Sequence, residues 1–347
     1  MDLAGARAAF DHVPGYCNAA TLGLPSRAVR AAMVTALDEW AGGRATAPGY
    51  DAVVNRAREL FGRLVGVPAD RVAVGSQASV AVGAVAASLP DGARVVVPAG
   101  DFTSVDFPFL VHAERRGLVV RQVPLEGLAD AVAEGCDLVA YSLVQSSDGA
   151  VADDDAVRAA AGRVGAATLC DLTQAAGWWP VDAGLHDLTV TAAYKWLGAP
   201  RGVCFTTVAP SWQERLLPVA AGWYAGEDVW GSGYGPGMAL AQDARRFDVS
   251  PAWLPWAGAV PALELYDGLD VAGVRDHDAR LADAVLAGLG LPPAGRAVVA
   301  VPDADGHALE RLAAAGVTAV ARAGAVRLAF HLWNDDSDVE RVLGALR

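Results

Sequence analysis

Cysteine and histidine are scarce in this chain, with four of the one and six of the other among 347 residues. The cysteines, Cys17, Cys136, Cys170 and Cys204, fall at no ligand-like spacing, and the histidines form neither an H-x-x-H nor an H-E-x-x-H pattern. The usual signatures of a metal site or a disulfide framework are therefore missing; no metal is expected, and a reducing, cytoplasmic setting is. Basic residues are also in short supply, since 27 Lys and Arg stand against 40 Asp and Glu for a formal net charge of −13. Such a surface argues against nucleic acid or an anionic membrane as a partner. The charge-free stretch from 72 to 90 is nearly long enough to cross a bilayer. It is punctuated, however, by Ser76, Gln77, Ser79, Ser88 and Pro90 and by Gly75 and Gly83, and reads as strand, loop and helix. No basic segment leads into an apolar one at Met1–Arg7, so no secretory signal is expected there.

What is present centres on two stretches. The apolar run Ala166-Ala167-Thr168-Leu169-Cys170 reads as a buried strand that delivers Asp171 to its carboxyl end, where open α/β sheets place their ligands. Lys195 comes later, in a run, Leu188 to Trp196, whose only charge is its own ammonium, so poor solvation should depress its pKa. A strand-end Asp is often only a helix cap, and a Lys among aromatics often snorkels. Together, an acid able to keep a pyridine nitrogen protonated and a Schiff-base lysine are the arrangement that makes pyridoxal phosphate an electron sink.

Around this pair the chain reads as alternating α and β segments, and its length allows two domains. Helices are expected over Arg27 to Trp40, set by Pro25-Ser26, over Tyr50 to Val65, from Asp153 through Arg163, and over Gly306 to Ala315. A long helix over Trp256 to Leu269 should bridge to the smaller domain. Strands are expected at Val72–Val74, Arg94–Pro98, Val119–Val123, Leu138–Leu143, Arg201–Phe205, Ala297–Val301 and Val326–His331. The Gly-Ser-Gln turn at 75–77 opens a helix whose free N–H groups suit a phosphate, although an ordinary helix start would look the same. Phe102, after the strand at 94–98, reads either as core or as an aromatic facing the site. Arg327 on an apolar strand is an expensive cation to bury without an anionic partner; the alternative is an edge-strand Arg in water.

The wording Asp171-Leu172-x-x-Ala175-Ala176-Gly177, then Val181-Asp182, then Tyr194-Lys195-Trp196-Leu197 resembles the aminotransferase class V branch of fold-type I pyridoxal phosphate enzymes. That branch holds kynureninases, cysteine desulfurases and isopenicillin epimerases. The resemblance implies a large domain with a mixed or parallel sheet covered by helices on both faces and a smaller α/β carboxy-terminal domain. The expected division is 1–45 as an amino-terminal segment over the active site, 46–255 as the cofactor domain and 256–347 as the small domain. It implies Lys195 and Asp171 as catalytic residues, Ser76, Gln77 and Ala78 as the phosphate cup and Phe102 as the residue stacked on the ring. Ser146 matches a desulfurase Asn that bonds the cofactor's phenolic oxygen, Gln174 falls beside O3′, and Tyr194 matches a kynureninase position that contacts phosphate. Trp223 and Tyr224, in Gly222-Trp223-Tyr224, also resemble kynureninase residues, the first toward cofactor and the second toward substrate. Ser250 matches a hydroxyl reaching the neighbouring subunit's phosphate, which implies a homodimer with composite active sites. Asn18 becomes a substrate contact, and Arg327 the bidentate partner of an amino acid's α-carboxylate.

Four further segments, at 17–25, 140–146, 221–226 and 243–253, resemble the hercynylcysteine sulfoxide lyases of ergothioneine biosynthesis. The implied reaction is β-elimination of a cysteine-sulfoxide C–S bond, giving a sulfenic acid with pyruvate and ammonia. It needs no enzyme thiol, whereas a desulfurase needs a mobile cysteine in its carboxy-terminal part, and there is none after Cys204. Aminotransferase, epimerase, kynureninase-like and desulfurase-like activity on another amino acid are the alternatives. Trimethylammonium in the substrate would favour aromatic faces, by roughly 0.5 to 2 kcal/mol each.

Overall fold

The computed structural model describes every residue except Ala304 and Ala323. In chain order its strands are β1 Val72–Gly75, β2 Arg94–Pro98, β3 Val119–Val123, β4 Leu138–Ser142, β5 Ala167–Asp171, β6 Leu188–Ala192, β7 Cys204–Val208, β8 Val298–Pro302, β9 Val320–Arg322 and β10 Ala325–Ala329. Its α-helices are α1 Leu3–Ala8, α2 Arg27–Ala41, α3 Ala47–Leu64, α4 Ala78–Ser88, α5 Thr103–Arg116, α6 Leu128–Ala133 and α7 Asp154–Val164. They continue with α8 Pro210–Gln213, α9 Trp253–Ala257, α10 Ala259–Glu264, α11 Val271–Gly288, α12 Ala308–Ala314 and α13 Asp336–Leu346. No described helix is long and apolar enough to cross a membrane.

The first seven strands form one sheet in the order β1-β7-β6-β5-β4-β2-β3. Only β7 runs against its neighbours; the other strands point the same way, so this is the mixed sheet of the fold-type I class. Its central strands β4, β5 and β6 are buried along their whole length, which explains their unbroken apolar runs. Because these strands share a direction, the residues at or just past the carboxyl ends of β1, β2, β4, β5 and β6 emerge along one edge. Topology alone therefore gathers Ser76, Asp101, Ser142, Asp171 and Lys195 there. Helices cover both faces. On one, Phe61 of α3 stacks on Phe205 of β7 with ring centroids 4.2 Å apart, a contact of about 0.5–1.5 kcal/mol beyond its buried area.

The second sheet is antiparallel, in the order β8-β10-β9. Residues 15–18 run alongside it: Cys17 N donates to Thr318 O at 3.1 Å, and Ala329 N donates to Cys17 O at 2.9 Å. The opening segment is thus fastened to the carboxy-terminal sheet before it crosses to the lysine.

Most expected elements stand within a residue or two of their expected bounds; the helix expected from Tyr50 starts at Ala47, capped by Thr46, and three further elements depart. The long helix expected over Trp256 to Leu269 is two short ones, α9 and α10, parted at Gly258. Pro255 and Pro261 remove two backbone donors, and a Cβ on Gly258 would lie 2.6 Å from Pro200 Cγ, so the chain turns where Pro200 packs closely. The long helix lies downstream as α11, capped by the Asp270 side chain on Ala272 N. The strand expected at Arg201–Phe205 begins only at Cys204, and that expected to reach His331 ends at Ala329.

Candidate active site

Lys195 leaves β6 on a tight turn closed by Ala193 N to Val203 O at 3.0 Å and Gly198 N to Lys195 O at 3.1 Å. The opening segment lies directly on this turn. Gly23 N donates to Tyr194 O at 2.9 Å, and a Cβ on Gly23 would sit 1.8 Å from Lys195 O, so only glycine permits the approach. The Lys195 side chain enters a cavity of about 230 Å³ lined by Ser76, Gln77, Ala78, Ser79, Phe102, Asp171, Thr173, Gln174, Tyr194 and Arg201. An outer cleft shares Phe102, Ser146, Gln174, Tyr194, Lys195 and Arg201 and adds Thr21, Ser147, Arg322 and Arg327.

Two charges face each other inside. Burial lowers the Lys195 pKa to about 8; the Asp171 carboxylate opposes that shift, and Arg327, Arg201 and Arg322 add to it. Burial pushes the Asp171 carboxyl up, against hydrogen bonding from Thr173 and the pull of Lys195. Thr173 N donates to Asp171 Oδ1 at 2.7 Å, and Thr173 Oγ1 accepts from Ala192 N at 3.0 Å, locking the acid to the strand that carries the lysine. Lys195 Nζ lies 5.3 Å from the Phe102 ring centroid and 5.8 Å from that of Tyr194. Arg201 stacks on the outer side of this group, its Cζ 5.0 Å from the Tyr194 ring.

Gln174 is held rather than free: its Nε2 donates to Ala20 O at 2.9 Å and its Oε1 accepts from Trp196 Nε1 at 2.8 Å. Ser146 lines both spaces, and its carbonyl accepts from Arg327 Nη1. Arg327 also donates from Nη2 to Thr21 Oγ1 at 2.6 Å, while its buried Nε has no partner. Burial, helped by Arg322, pulls the Arg327 guanidinium down to about 10. A buried cation answered only by neutral oxygens is a site waiting for an anion.

The donor set fits pyridoxal phosphate. At the start of α4 the Gln77 cap position makes no side-chain cap bond, so the first N–H groups of the helix are left for a ligand where Ser76, Gln77 and Ala78 line the cavity. Of the other helices of eleven or more residues, α2, α3, α7, α11 and α13 are capped by their own Ser, Thr or Asp side chains, and α5, whose first residues also line this cavity, is not.

Four named residues are not brought to this cavity within one chain. Asn18 lies beside β10, bridged to Ala329, with its Oδ1 buried and unpartnered; Thr21 is the residue of that segment that faces the cleft. Trp223 packs against Tyr224 and Trp230 at 5.3 and 5.5 Å, and the Tyr224 hydroxyl donates to Asp51 Oδ1 at 2.6 Å. Ser250 is exposed, two residues after Asp248, whose carboxylate binds Arg58 at 2.6 Å and Val74 N at 2.8 Å. That buried pair fixes the 243–250 segment to β1, just ahead of the Gly-Ser-Gln turn at 75–77.

Sequence reasoning passed over Asp101, Thr21, Thr173, Arg201 and Arg322. Asp101 accepts from Ser142 N at 2.7 Å, Ser142 Oγ at 2.5 Å and Gln145 Nε2 at 3.3 Å, so it organises the end of β4. Its signal was present, an acid just past a buried strand, as with Asp171. Asp154, Cys170 and His186 are the one set among the described residues with metal-ligand atoms close together. Asp154 is already taken by Tyr141 and Arg158, however, and burial drives the Cys170 thiol well up.

The family profile described as "Aminotransferase class-V" matches residues 18–310, and the chain belongs to that family of pyridoxal phosphate-dependent enzymes. It is 30% identical over 231 residues to an uncharacterized aminotransferase, YcbU, of Bacillus subtilis (strain 168), covering 64% of this chain and 60% of that protein, less than two thirds of its length. It is 30% identical over 304 residues to a kynureninase of Deinococcus radiodurans, covering 81% of this chain and 73% of that one. Among solved structures, the cystine C-S lyase C-DES in complex with its reaction product cysteine persulfide superposes with a TM-score of 0.86 at 17% identity. That match covers 96% of this chain and 97% of the other.

Proposed function

We propose that this enzyme is a carbon–sulfur lyase that β-eliminates a cysteine-sulfoxide conjugate, hercynylcysteine sulfoxide, releasing a sulfenic acid, pyruvate and ammonia. The observation that carries the reading is the state of the thiols. All four cysteines are buried, and burial raises the pKa of each, so none of them offers a thiolate to attack substrate sulfur. If this family member acts on sulfur, the bond must break by elimination. The segments resembling the sulfoxide lyases supply the substrate.

Bound pyridoxal phosphate supplies an electron sink for a negative charge developing at the substrate's Cα. The residues divide the remaining work. Ser76, Gln77 and Ala78 at the start of α4 would hold the phosphate, Asp171 the proton on the ring nitrogen, and Lys195 the aldehyde carbon. Phe102 and Tyr194 present their rings to the lysine. Arg327, with Thr21 and the Ser146 carbonyl fixing its fork, binds the α-carboxylate. Lys195, whose buried amine is uncharged above a pKa of about 8, would take the Cα proton. The Cβ–S electron pair then leaves on sulfur and is protonated to the sulfenic acid, and water converts the three-carbon remainder to pyruvate and ammonia. A homodimer that brings Ser250, Trp223 and Tyr224 to the partner's cavity is part of this proposal, as are a cytoplasmic setting and the three-part domain division.

The test is pyruvate release by the cofactor-loaded protein given hercynylcysteine sulfoxide, with cysteine and alanine as controls. Release from the sulfoxide alone, lost on the order of 10³-fold or more in Lys195→Ala, is expected. No pyruvate from loaded enzyme overturns the lyase reading. The alignment with a kynureninase over 304 residues favours a second reading, kynureninase-like cleavage, and consumption of kynurenine in the same assay would establish it.

A further inference from the structure

The corner after β10, His331-Leu332-Trp333-Asn334, forms no part of the cavity wall, yet it is bonded to the lysine turn. His331 is fully buried, with Nε2 2.9 Å from Trp196 O and 3.0 Å from the Tyr266 hydroxyl. Tyr266 itself donates to Trp196 O at 2.5 Å. On its other side, His331 Nδ1 lies 2.7 Å from Asp278 Oδ2 on α11, and neither side chain reaches solvent.

The protons of this group can be counted. A carbonyl oxygen only accepts, so His331 Nε2 must carry a hydrogen to bond Trp196 O, while Nδ1 faces a carboxyl group. Both contacts are met at once when the pair holds two protons between them, as imidazolium against carboxylate or as neutral imidazole against carboxylic acid. Either form is neutral overall, as a solvent-free site requires. Asp278 Oδ1 is buried without a partner, and burial pushes its carboxyl up to about 6 although His331 pulls it down. The other charged or titratable groups facing the pair are Arg7 of α1 and His277 of α11. Arg7 spends its donors on Leu332 O and Asn334 O, at 3.2 Å each, rather than on Asp278.

We propose that Asp278, His331 and Tyr266 form a proton-holding clamp on the Trp196 carbonyl that positions Lys195 and ties its aim to the strand carrying Arg327. Arg327 lies on β10 and His331 two residues past its end, so a pull on the guanidinium by a substrate anion reaches the clamp through Leu328, Ala329 and Phe330. The same corner holds the opening segment, for Trp333 Nε1 and Asn334 Nδ2 both donate to Tyr16 O at 3.1 Å. The three residues are positioning residues and touch no reacting atom. The inference rests on Lys195 as the cofactor lysine and is independent of which substrate is cleaved.

The test uses pyridoxal phosphate as the probe and needs no turnover. The readouts are the rate at which apoprotein captures the cofactor and the pH midpoint of the absorbance change of the loaded protein. His331→Leu removes the donor. Asp278→Leu removes the carboxyl that faces Nδ1, so nothing holds the ring with its Nε2 hydrogen on Trp196 O. Both should slow capture about tenfold and move the midpoint up by roughly half a pH unit, as water reaches a loosened lysine. His331→Gln, whose amide reaches the same carbonyl as a donor, should stay within about twofold of the parent. Should His331→Leu fail to fold, Tyr266→Phe, which removes one oxygen, carries the test with a smaller shift of the same sign. Lower melting temperatures with unchanged capture rate and midpoint in the folded variants would overturn the clamp and leave the three residues as packing.

Discussion

The two sheets treat their buried charges differently. At the edge of the seven-stranded sheet, Asp101 receives Ser142 and Gln145, and Asp171 receives Thr173 and faces Lys195, so the acids are answered from within the chain. On the three-stranded sheet, Arg327 is met only by a carbonyl and a hydroxyl, and its Nε by nothing. The first arrangement is preorganised before any ligand arrives. The second stores an unmet demand for negative charge that a substrate carboxylate would satisfy. Under the proposed function, the contrast separates a floor that would hold the cofactor from a wall that would select what is brought to it.

The largest expected break in this contrast is Asp171→Asn. An amide cannot hold a ring nitrogen's proton, so kcat should fall on the order of 10²-fold or more, with KM changed far less. Rates measured at saturating substrate decide it; a fall in kcat/KM confined to KM would move Asp171 from the chemistry to substrate binding. Arg327→Ala should do the reverse. Loss of a charge-assisted, two-pronged bond to a carboxylate is worth about 1.5–3 kcal/mol, which raises KM roughly 10- to 100-fold while kcat drops less. Equal KM values for an amino acid and its amide in the variant, against a clear preference in the parent, would show that the carboxylate contact was the part removed.

Legibility split along the same divide. That Asp171, Lys195 and the turn at 75–77 would meet at one edge was readable because buried parallel strands write continuous apolar runs, and the residues at the end of each run land on one edge of the sheet. Nothing in that rule reports who answers a charge from elsewhere in the chain. Thr21 meets Arg327 across more than three hundred residues, and His331 meets Trp196 across 135, contacts that no local pattern encodes. Asp101 was legible by the rule that found Asp171 and was passed over for its neighbour Phe102. The long helix expected over Trp256 to Leu269 failed because Pro255, Gly258 and Pro261 outweighed its apolar content. Trp223, Tyr224 and Ser250 lie away from the cavity, Trp223 and Tyr224 packed on each other and Ser250 exposed.

The finest test of the contrast reads the lysine itself. Only an uncharged amine attacks the aldehyde of free pyridoxal phosphate, so capture by apoprotein should quicken as pH rises and level off above about 8. The sign is set by burial, which disfavours the ammonium and brings the neutral amine into play below its ordinary range. The two sheets act on this midpoint in opposite directions. Asp171 stabilises the ammonium, so Asp171→Asn should move the midpoint down; Arg327 repels it, so Arg327→Ala should move it up, each by no more than about one unit, or roughly 1.4 kcal/mol. Stopped-flow absorbance of the apoproteins across pH 6 to 10, a range of about two units either side of that midpoint, gives both values. Shifts of the same sign in the two variants would mean that general loosening of the cavity, rather than the opposed charges of its floor and wall, sets the reactivity of Lys195.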